Sequence, residues 1–283
     1  MTKRTPPQSP LLTIVMPCHD ESANVGPVCA ELAKRYTAAN PLAFNIVAVD
    51  DGSTDDTLAR LHDAAAHFTQ ATGALMTVLR HEKCLGKSAA LHTAIKTART
   101  PWIITLDGDG QDDPSAIPAL WAKATAMMAQ GQLPLVVAVR TKRRDGLWRL
   151  LASRLANKLR QSLLQDDCPD TAAPLKLFPR QLFLMFPQFE GQHRFLPALA
   201  KSHGAHVGCI EGRHRPRLHG FSKYTNLGRA KVGVADLAGV WWLQRRLRVP
   251  GAFAPSLLRQ LLQLHKNQQP PGTKRPPPLG KQS

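Results

Sequence analysis

A chain of 283 residues that is 43% hydrophobic can bury a sizeable core, as one large α/β domain or two small ones. Its 37 lysines and arginines against 20 aspartates and glutamates leave a formal charge of +17; the excess points to a polyanionic partner, whether nucleic acid, an acidic membrane face or phosphorylated substrates. The five cysteines (Cys18, Cys29, Cys84, Cys168 and Cys209) are odd in number and lack CxxC spacing, which argues against a disulfide framework or a zinc site and for reduced, partly buried thiols.

Residues 1–10 read as a flexible Pro-rich arm, in which Lys3 and Arg4 precede Pro6, Pro7 and Pro10. The apolar run that follows is too short for a signal-peptide core. A single domain is expected over 11–250. Its first half alternates β-rich runs, at Leu11–Met16, Asn45–Val49, Leu75–Leu79, Trp102–Leu106 and Leu135–Val139, with helical patterns. Val28, Leu32 and Tyr36 mark one apolar helix face, and Leu58, Leu61 and Ala65 another. This alternation predicts an α/β fold, a mostly parallel sheet covered by helices on both faces. Ligands in such sheets sit beyond the carboxyl ends of the strands.

The second half is less regular. Between Arg140 and Arg160 eight basic residues are opposed only by Asp145, while Trp148, Leu151, Leu155 and Leu159 recur at helical spacing. That pattern predicts a basic amphipathic helix suited to an anionic membrane surface, or a core-docked helix with a solvated basic face. A second amphipathic helix is expected over 251–266, with Phe253, Leu257, Leu258, Leu261 and Leu262 on one side, and a disordered tail over 267–283. No stretch approaches the ~18–20 apolar residues of a spanning helix; Val232 to Leu243 is too short and carries Asp236. A cytoplasmic protein, peripheral on a membrane, follows as the expectation.

Three polar clusters fall at predicted strand ends: Pro17-Cys18-His19-Asp20-Glu21, Asp50-Asp51-Gly52-Ser53-Thr54-Asp55 and Asp107-Gly108-Asp109-Gly110-Gln111. One such turn is ordinary, since Thr54 or Asp55 could cap the next helix. Three at one sheet edge would repel one another unless a cation or hydrogen-bond donors held them. The Asp-x-Asp unit suits a hard divalent ion, which takes one or two carboxylates with the remainder from substrate phosphates and water. Gly108 between them allows close backbone approach.

These clusters, with Asp170-Thr171 before Leu175-Lys176-Leu177-Phe178 and Arg217-x-x-Gly220-x-Ser222-Lys223-Tyr224, resemble the inverting family-two glycosyltransferases of GT-A fold. The likeness runs from about Leu12 to Arg248 and is strongest to the branch with dolichyl-phosphate mannosyltransferase and bacterial polyprenyl-phosphate glycosyltransferases. It implies a Rossmann-like nucleotide-sugar-binding sheet and transfer of a sugar, by family default mannose from GDP-mannose, to a lipid phosphate. Pro17, Glu21, Val49 and Asp51 would surround base and ribose, and Asp107 and Gly108 would touch the nucleotide. Asp109 and Gln111, with Asp107 beside them, would hold Mg²⁺ or Mn²⁺; Arg140, Arg217 and Lys223 would face the donor diphosphate and acceptor phosphate. Family members commonly carry an aromatic residue and Asn where Cys18 and His19 stand, and a small Gly/Cys/Ser run where Ala172-Ala173-Pro174 stands. Pro174 removes an N–H that could have met a phosphate.

A lipid phosphate is already anionic at neutral pH, so the expected mechanism is in-line displacement without a general base, helped by positive charge. Asp170 would be a base for a hydroxyl acceptor and otherwise would orient an arginine. The alternatives are a related transferase using a UDP-sugar and a glycan, protein or other hydroxyl acceptor, and a nucleic-acid binder, which no zinc spacing, RNP strand or helix-turn-helix supports. Gly86-Lys87-Ser88 resembles the end of a phosphate-binding loop, but His81 stands where its first Gly belongs. His193-Arg194-Phe195-Leu196 reads either as a polar patch near the acceptor or as a helix start. A membrane-anchored partner is a further expected means of holding the chain at the bilayer.

Overall fold

Strand β1 (Leu12–Cys18) carries Leu12, Ile14, Val15 and Met16 with no exposed surface, the mark of a strand covered on both faces. It lies between β2 (Phe44–Asp51) and β4 (Trp102–Thr105), parallel to both. β3 (Met76–His81) adds to the free side of β2, also in parallel. The computed structural model describes residues 10–35, 43–140, 157–216 and 226–268. All five strands expected from the apolar runs are present, the fifth as β5 (Pro134–Arg140).

Two further strands were not legible. β6 (Lys176–Pro179) inserts between β4 and β5 and runs antiparallel to both, and β7 (His206–Gly212) pairs in parallel with β5. The seven-stranded order is β3-β2-β1-β4-β6-β5-β7. Because β1, β2, β3 and β4 are parallel, their carboxyl ends share one edge, and every acidic cluster named above falls on it.

Helices α1 (Ser22–Arg35), α2 (Thr57–Thr72), α3 (Lys87–Thr97) and α4 (Ile117–Ala129) fill the connections and flank the sheet. Val28 and Leu32 are buried on α1 as expected, while Tyr36 lies outside the described residues. On α2 the buried face is Thr57, Leu61, Ala64 and Phe68, so only Leu61 of the expected trio is at its centre. Phe68 meets Phe44 of β2 with ring centroids 6.2 Å apart; that contact sets the helix phase, and Leu58 and Ala65 are left half-buried. Burying a side chain such as Phe68 stabilises the fold by about 1.5–3 kcal/mol.

Of the expected Arg140–Arg160 helix, Arg140 instead ends β5, and 141–156 lie outside the described residues. The described remainder, 157–164 (α5), turns the expected faces over. Leu159 is 54% exposed, whereas Arg160 is 9% exposed and donates to the Cys168 carbonyl and Thr171 while pairing with Asp166. An arginine buried against a carbonyl, a hydroxyl and a carboxylate is a loop anchor rather than a solvated face. Short helices α6 (Arg180–Leu184) and α7 (Leu196–Ser202) follow, then α8 (Asn226–Arg246) and α9 (Phe253–Gln268). The apolar side of α9 is not free: Leu257, Leu258 and Leu261 are buried in the main core. Cys18, Cys29 and Cys168 are buried thiols, while Cys84 is exposed. No helix among the described residues is long and apolar enough to cross a membrane.

Candidate active site

The loops after β1 and β2 interlock. Asp20, at φ 50°, receives Thr54 N–H on Oδ1 at 2.7 Å and donates its own N–H to Ser53 Oγ at 3.0 Å. Aspartate tolerates this left-handed backbone better than most residues. The Glu21 N–H reaches Thr57 Oγ1 at 2.7 Å, and the Glu21 carboxylate accepts from Asn24 Nδ2 at 2.6 Å. Asp55 accepts from Ser22 N at 3.2 Å and Thr57 N at 2.9 Å, so one carboxylate serves the first turns of both α1 and α2. Burial acts to raise its pKa, but the bonds from Thr57 and Ser22 leave it lowered. The N-cap of α2 is Asp56, which makes no side-chain capping bond, so neither Thr54 nor Asp55 is the cap, and Asp55 instead ties the two helix starts together.

Asp51 is 3% exposed and fully engaged by the loop between β3 and α3. Oδ1 meets His81 Nδ1 at 2.7 Å and Leu85 N at 3.0 Å; Oδ2 meets Gly86 N at 2.8 Å and Cys84 Sγ at 3.4 Å. Burial pushes its pKa up, and the hydrogen bonds from Leu85, His81 and Gly86 pull it below the ordinary value. Gly52, at φ +67°, presses the same loop: a Cβ there would lie 2.3 Å from the Lys83 carbonyl carbon. A residue expected at the base and ribose also fastens the neighbouring loop. Val49 likewise turns its side chain into the core. His19 Nδ1 lies 2.9 Å from the Asp51 carbonyl oxygen.

At the end of β4, Lys87, the first residue of α3, places Nζ 2.6 Å and 2.8 Å from the two oxygens of Asp107. Asp112 lies beyond, 6% exposed, its carboxyl pushed up to about 7 by burial and by the charge of Asp107, which Lys87 offsets in part. Asp109 Oδ1 accepts from Gln111 N at 3.1 Å, which folds the Asp-x-Asp turn back on itself. Gly108 gives its space to a neighbour, since a Cβ there would lie 2.6 Å from Cys18 Sγ. The Cys18 thiol thus packs on this turn. Residues after β7 cross the same loop: Asp112 and His214 form an antiparallel bridge, and Arg215 N donates to the Gln111 carbonyl at 2.8 Å. Arg217, Gly220, Ser222, Lys223 and Tyr224 lie outside the described residues.

Arg140 forks onto Asp170, with Nε–Oδ2 2.6 Å and Nη2–Oδ1 2.9 Å. Burial opposes the arginine's charge, and Asp170 most, then Asp112 and Asp107, more than restore it; the pair borders the acidic edge. Lys176 of β6 is 3% exposed and donates to the Ala173 carbonyl, its pKa lowered to about 8 by burial and by Lys87. Ala173 N–H is taken by the Asp170 carbonyl at 3.3 Å. His193 sits in a short 3-10 turn, Gln192–Arg194, that leads into α7, and its Nδ1 lies 2.8 Å from Ser88 Oγ on α3. Burial first, then Lys87 and Lys176, hold that imidazole well below its ordinary pKa. The helix-start reading of the His193 motif is realised, with a polar contact to α3 beside it.

Sequence reasoning passed over Lys87, Asp112 and the Ser88–His193 pair, and left Lys176 without a role. The signal for Lys87 and Ser88 was present in Gly86-Lys87-Ser88. The donor set suits a hard cation: Asp112 is buried beside Asp107 and Asp109 with Lys87 as partial counter-charge, so added positive charge would relieve it. No three His, Cys, Asp or Glu side chains form a ready metal cage among the described residues, and Mg²⁺ or Mn²⁺ held by one or two carboxylates and a substrate's phosphates requires none. A separate groove of about 570 Å³ between α1 and α2, lined by Cys29, Ala33, Ala64 and Phe68, contains no residue of this edge.

The fold is that of the GT-A glycosyltransferases. A mannosyltransferase from Pyrobaculum calidifontis, solved in complex with GDP-Man and Mn²⁺, superposes with a TM-score of 0.59 at 18% identity, over 92% of this chain and 71% of its own. Glucosyl-3-phosphoglycerate synthase from Mycobacterium tuberculosis gives 0.56 at 18% identity, over 86% and 82%. The chain belongs to glycosyl transferase family 2, whose family model matches residues 13–184. It is 31% identical over 255 residues to a dodecaprenyl-phosphate galacturonate synthase of Rhizobium johnstonii, covering 89% of this chain and 72% of the relative. It is 33% identical over 218 residues to an undecaprenyl-phosphate 4-deoxy-4-formamido-L-arabinose transferase of Pseudomonas paraeruginosa, covering 76% of this chain and 60% of the relative.

Proposed function

We propose that this chain transfers a sugar from a nucleotide-sugar to a polyprenyl phosphate. The observation that carries the reading is the charge arrangement at the carboxyl edge: Asp107, Asp109 and Asp112 stand between Lys87 and the Arg140–Asp170 fork. Relatives that use polyprenyl phosphate support the acceptor class. A lipid phosphate oxygen attacks the anomeric carbon as the bond to the diphosphate oxygen breaks, and the electron pair leaves with the diphosphate. No proton has to be removed from an anionic acceptor, so a general base is not needed. Bringing two anions together requires fixed positive charge, which Lys87 and Arg140 supply, joined by Arg217 and Lys223. Asp170, both of whose oxygens hold Arg140, acts by orienting that arginine.

Asp109, with Asp107 and Gln111, would hold Mg²⁺ or Mn²⁺; bound there, the ion offsets the charge that builds on the diphosphate. Asp51 acts on the donor through the loop 81–86 that it fastens, and Pro17 and Glu21 border the nucleotide from the β1 side. The work is done at the cytoplasmic face of a membrane, with the protein bound peripherally. The test is direct: purified protein is given GDP-mannose, other GDP-sugars and UDP-sugars in turn, with divalent metal and polyprenyl phosphate, and products are resolved by mass. A glycosylated lipid phosphate is expected. Product formed only on a glycan, protein or other hydroxyl acceptor would overturn the acceptor, and transfer from a UDP-sugar alone would replace GDP-mannose as donor.

A further inference from the structure

Helix α8 is apolar on both sides. Its inner side sets Val240 and Leu237 against Leu164, Phe195 and Ala198, and Gln244 Nε2 fixes it to the carbonyls of Leu164 and Ala198 at 3.3 Å and 3.2 Å. Its outer side nevertheless carries Val234 at 69%, Trp241 at 36% and Trp242 at 56% exposure, with Ala238, Arg245 and Arg246 also exposed. Steps of three and four residues put these on one stripe of the helix. A surface helix that buries one face ordinarily shows charge on the other, and large exposed indoles mark an interaction surface. The single acidic residue of α8, Asp236, is turned away from the stripe toward Arg194, 3.9 Å distant.

We propose that the Val234–Arg246 stripe of α8 is the surface by which this protein lies on an anionic lipid bilayer. The chemistry of its carboxyl-terminal end selects that occupant. The Arg245 guanidinium stacks 3.6 Å above the Trp241 ring, and Arg246 lies 5.8 Å from that of Trp242. Each pair presents an apolar ring with a cation on it, the combination that partitions to the headgroup level of an acidic membrane. Val234 and Ala238 continue the apolar strip along the helix axis, parallel to a bilayer surface. A second copy is the poorer occupant, because it would bring +17 against +17. The proposal rests on the lipid-phosphate reading for its biological sense, not for its test.

The test uses the full chain and vesicles of phosphatidylcholine and phosphatidylglycerol without polyprenyl phosphate or nucleotide-sugar, so failure of sugar transfer leaves the result standing. Parent protein should co-sediment and show tryptophan quenching by brominated lipid. Val234→Asp, and separately Trp241→Ala with Trp242→Ala, should weaken binding at least tenfold with unchanged melting temperature. Arg245→Gln with Arg246→Gln, which leaves both indoles in place, should weaken it on the order of 25-fold at low salt, about fivefold for each charge. Vesicle binding that is the same in these three variants as in the parent would overturn the proposal. So would a concentration-dependent dimer that Val234→Asp abolishes in a protein with no affinity for vesicles.

Discussion

Asp51 is the residue to whose expected role the structure adds most. Four groups converge on its carboxylate, including two backbone N–H donors of one loop. Truncating it leaves those donors and His81 without their partner, so Asp51→Ala should cost about 3 kcal/mol of stability as well as weaken donor binding, measured by urea unfolding and by nucleotide titration. The carboxyl's pKa is lower folded than unfolded. Its contribution is therefore present above the unfolded value of about 3.9 and is lost as pH falls through the folded value. Unfolding curves between about pH 3 and 7 should show an acid-side loss of stability that Asp51→Asn flattens. Asp109 has a different burden. Asp109→Asn removes one charge at a polar turn, and divalent-dependent turnover should fall on the order of 10²-fold with the fold intact; near-normal turnover in Mg²⁺ and Mn²⁺ would remove Asp109 from the site.

Among elements, the five apolar strands were legible because β-branched and aliphatic runs at a buried sheet need no partner to be recognised. β6, as short as β4, was not, because it opens on Lys176 and closes on Pro179. β7 reads His-Val-Gly-Cys-Ile-Glu-Gly, in which two glycines and a half-exposed pattern hide a strand. The acidic edge was legible because three clusters end three parallel strands. Of its cations, Arg140 came only from the resemblance and Lys87 was missed, since each finds its partner 20 or 30 residues along the chain. The α9 pattern showed an apolar face but not what covers it. Since Leu261 is 3% exposed, Leu261→Ala should cost about 2–4 kcal/mol in chemical unfolding; a value near zero would mean that α9 does not dock. The Arg140–Asp170 fork can be weighed in the same terms. Arg140→Gln and Asp170→Asn should each lower the turnover rate, and the double variant should be no worse than the poorer single one. A general-base role for Asp170 would instead give a pH–rate profile whose acid limb disappears only in Asp170→Asn.

Over the whole molecule, long-range charge and local apolar contact are two separable contributions, and each can be measured. The net +17 attracts the entire chain toward an anionic surface, an attraction screened within a Debye length of roughly 8–10 Å at working salt. The Trp pair of α8 acts by burial, which salt leaves largely untouched. Eight of the basic residues fall between Arg140 and Arg160, and of these Arg140 and Arg160 pair with Asp170 and Asp166. Replacing Arg143, Arg144, Arg149 and Lys158 with Gln should therefore flatten the salt dependence of vesicle co-sedimentation while the quenching of Trp241 and Trp242 by brominated lipid persists at low salt. The Trp241→Ala, Trp242→Ala variant should do the reverse, keeping a steep salt dependence around a weaker affinity. Both should bind soluble donor as the parent does, because none of the substituted residues is among those assigned to the donor. If the four Gln substitutions abolish quenching outright, insertion depends on the 143–158 segment, and the two contacts are one surface.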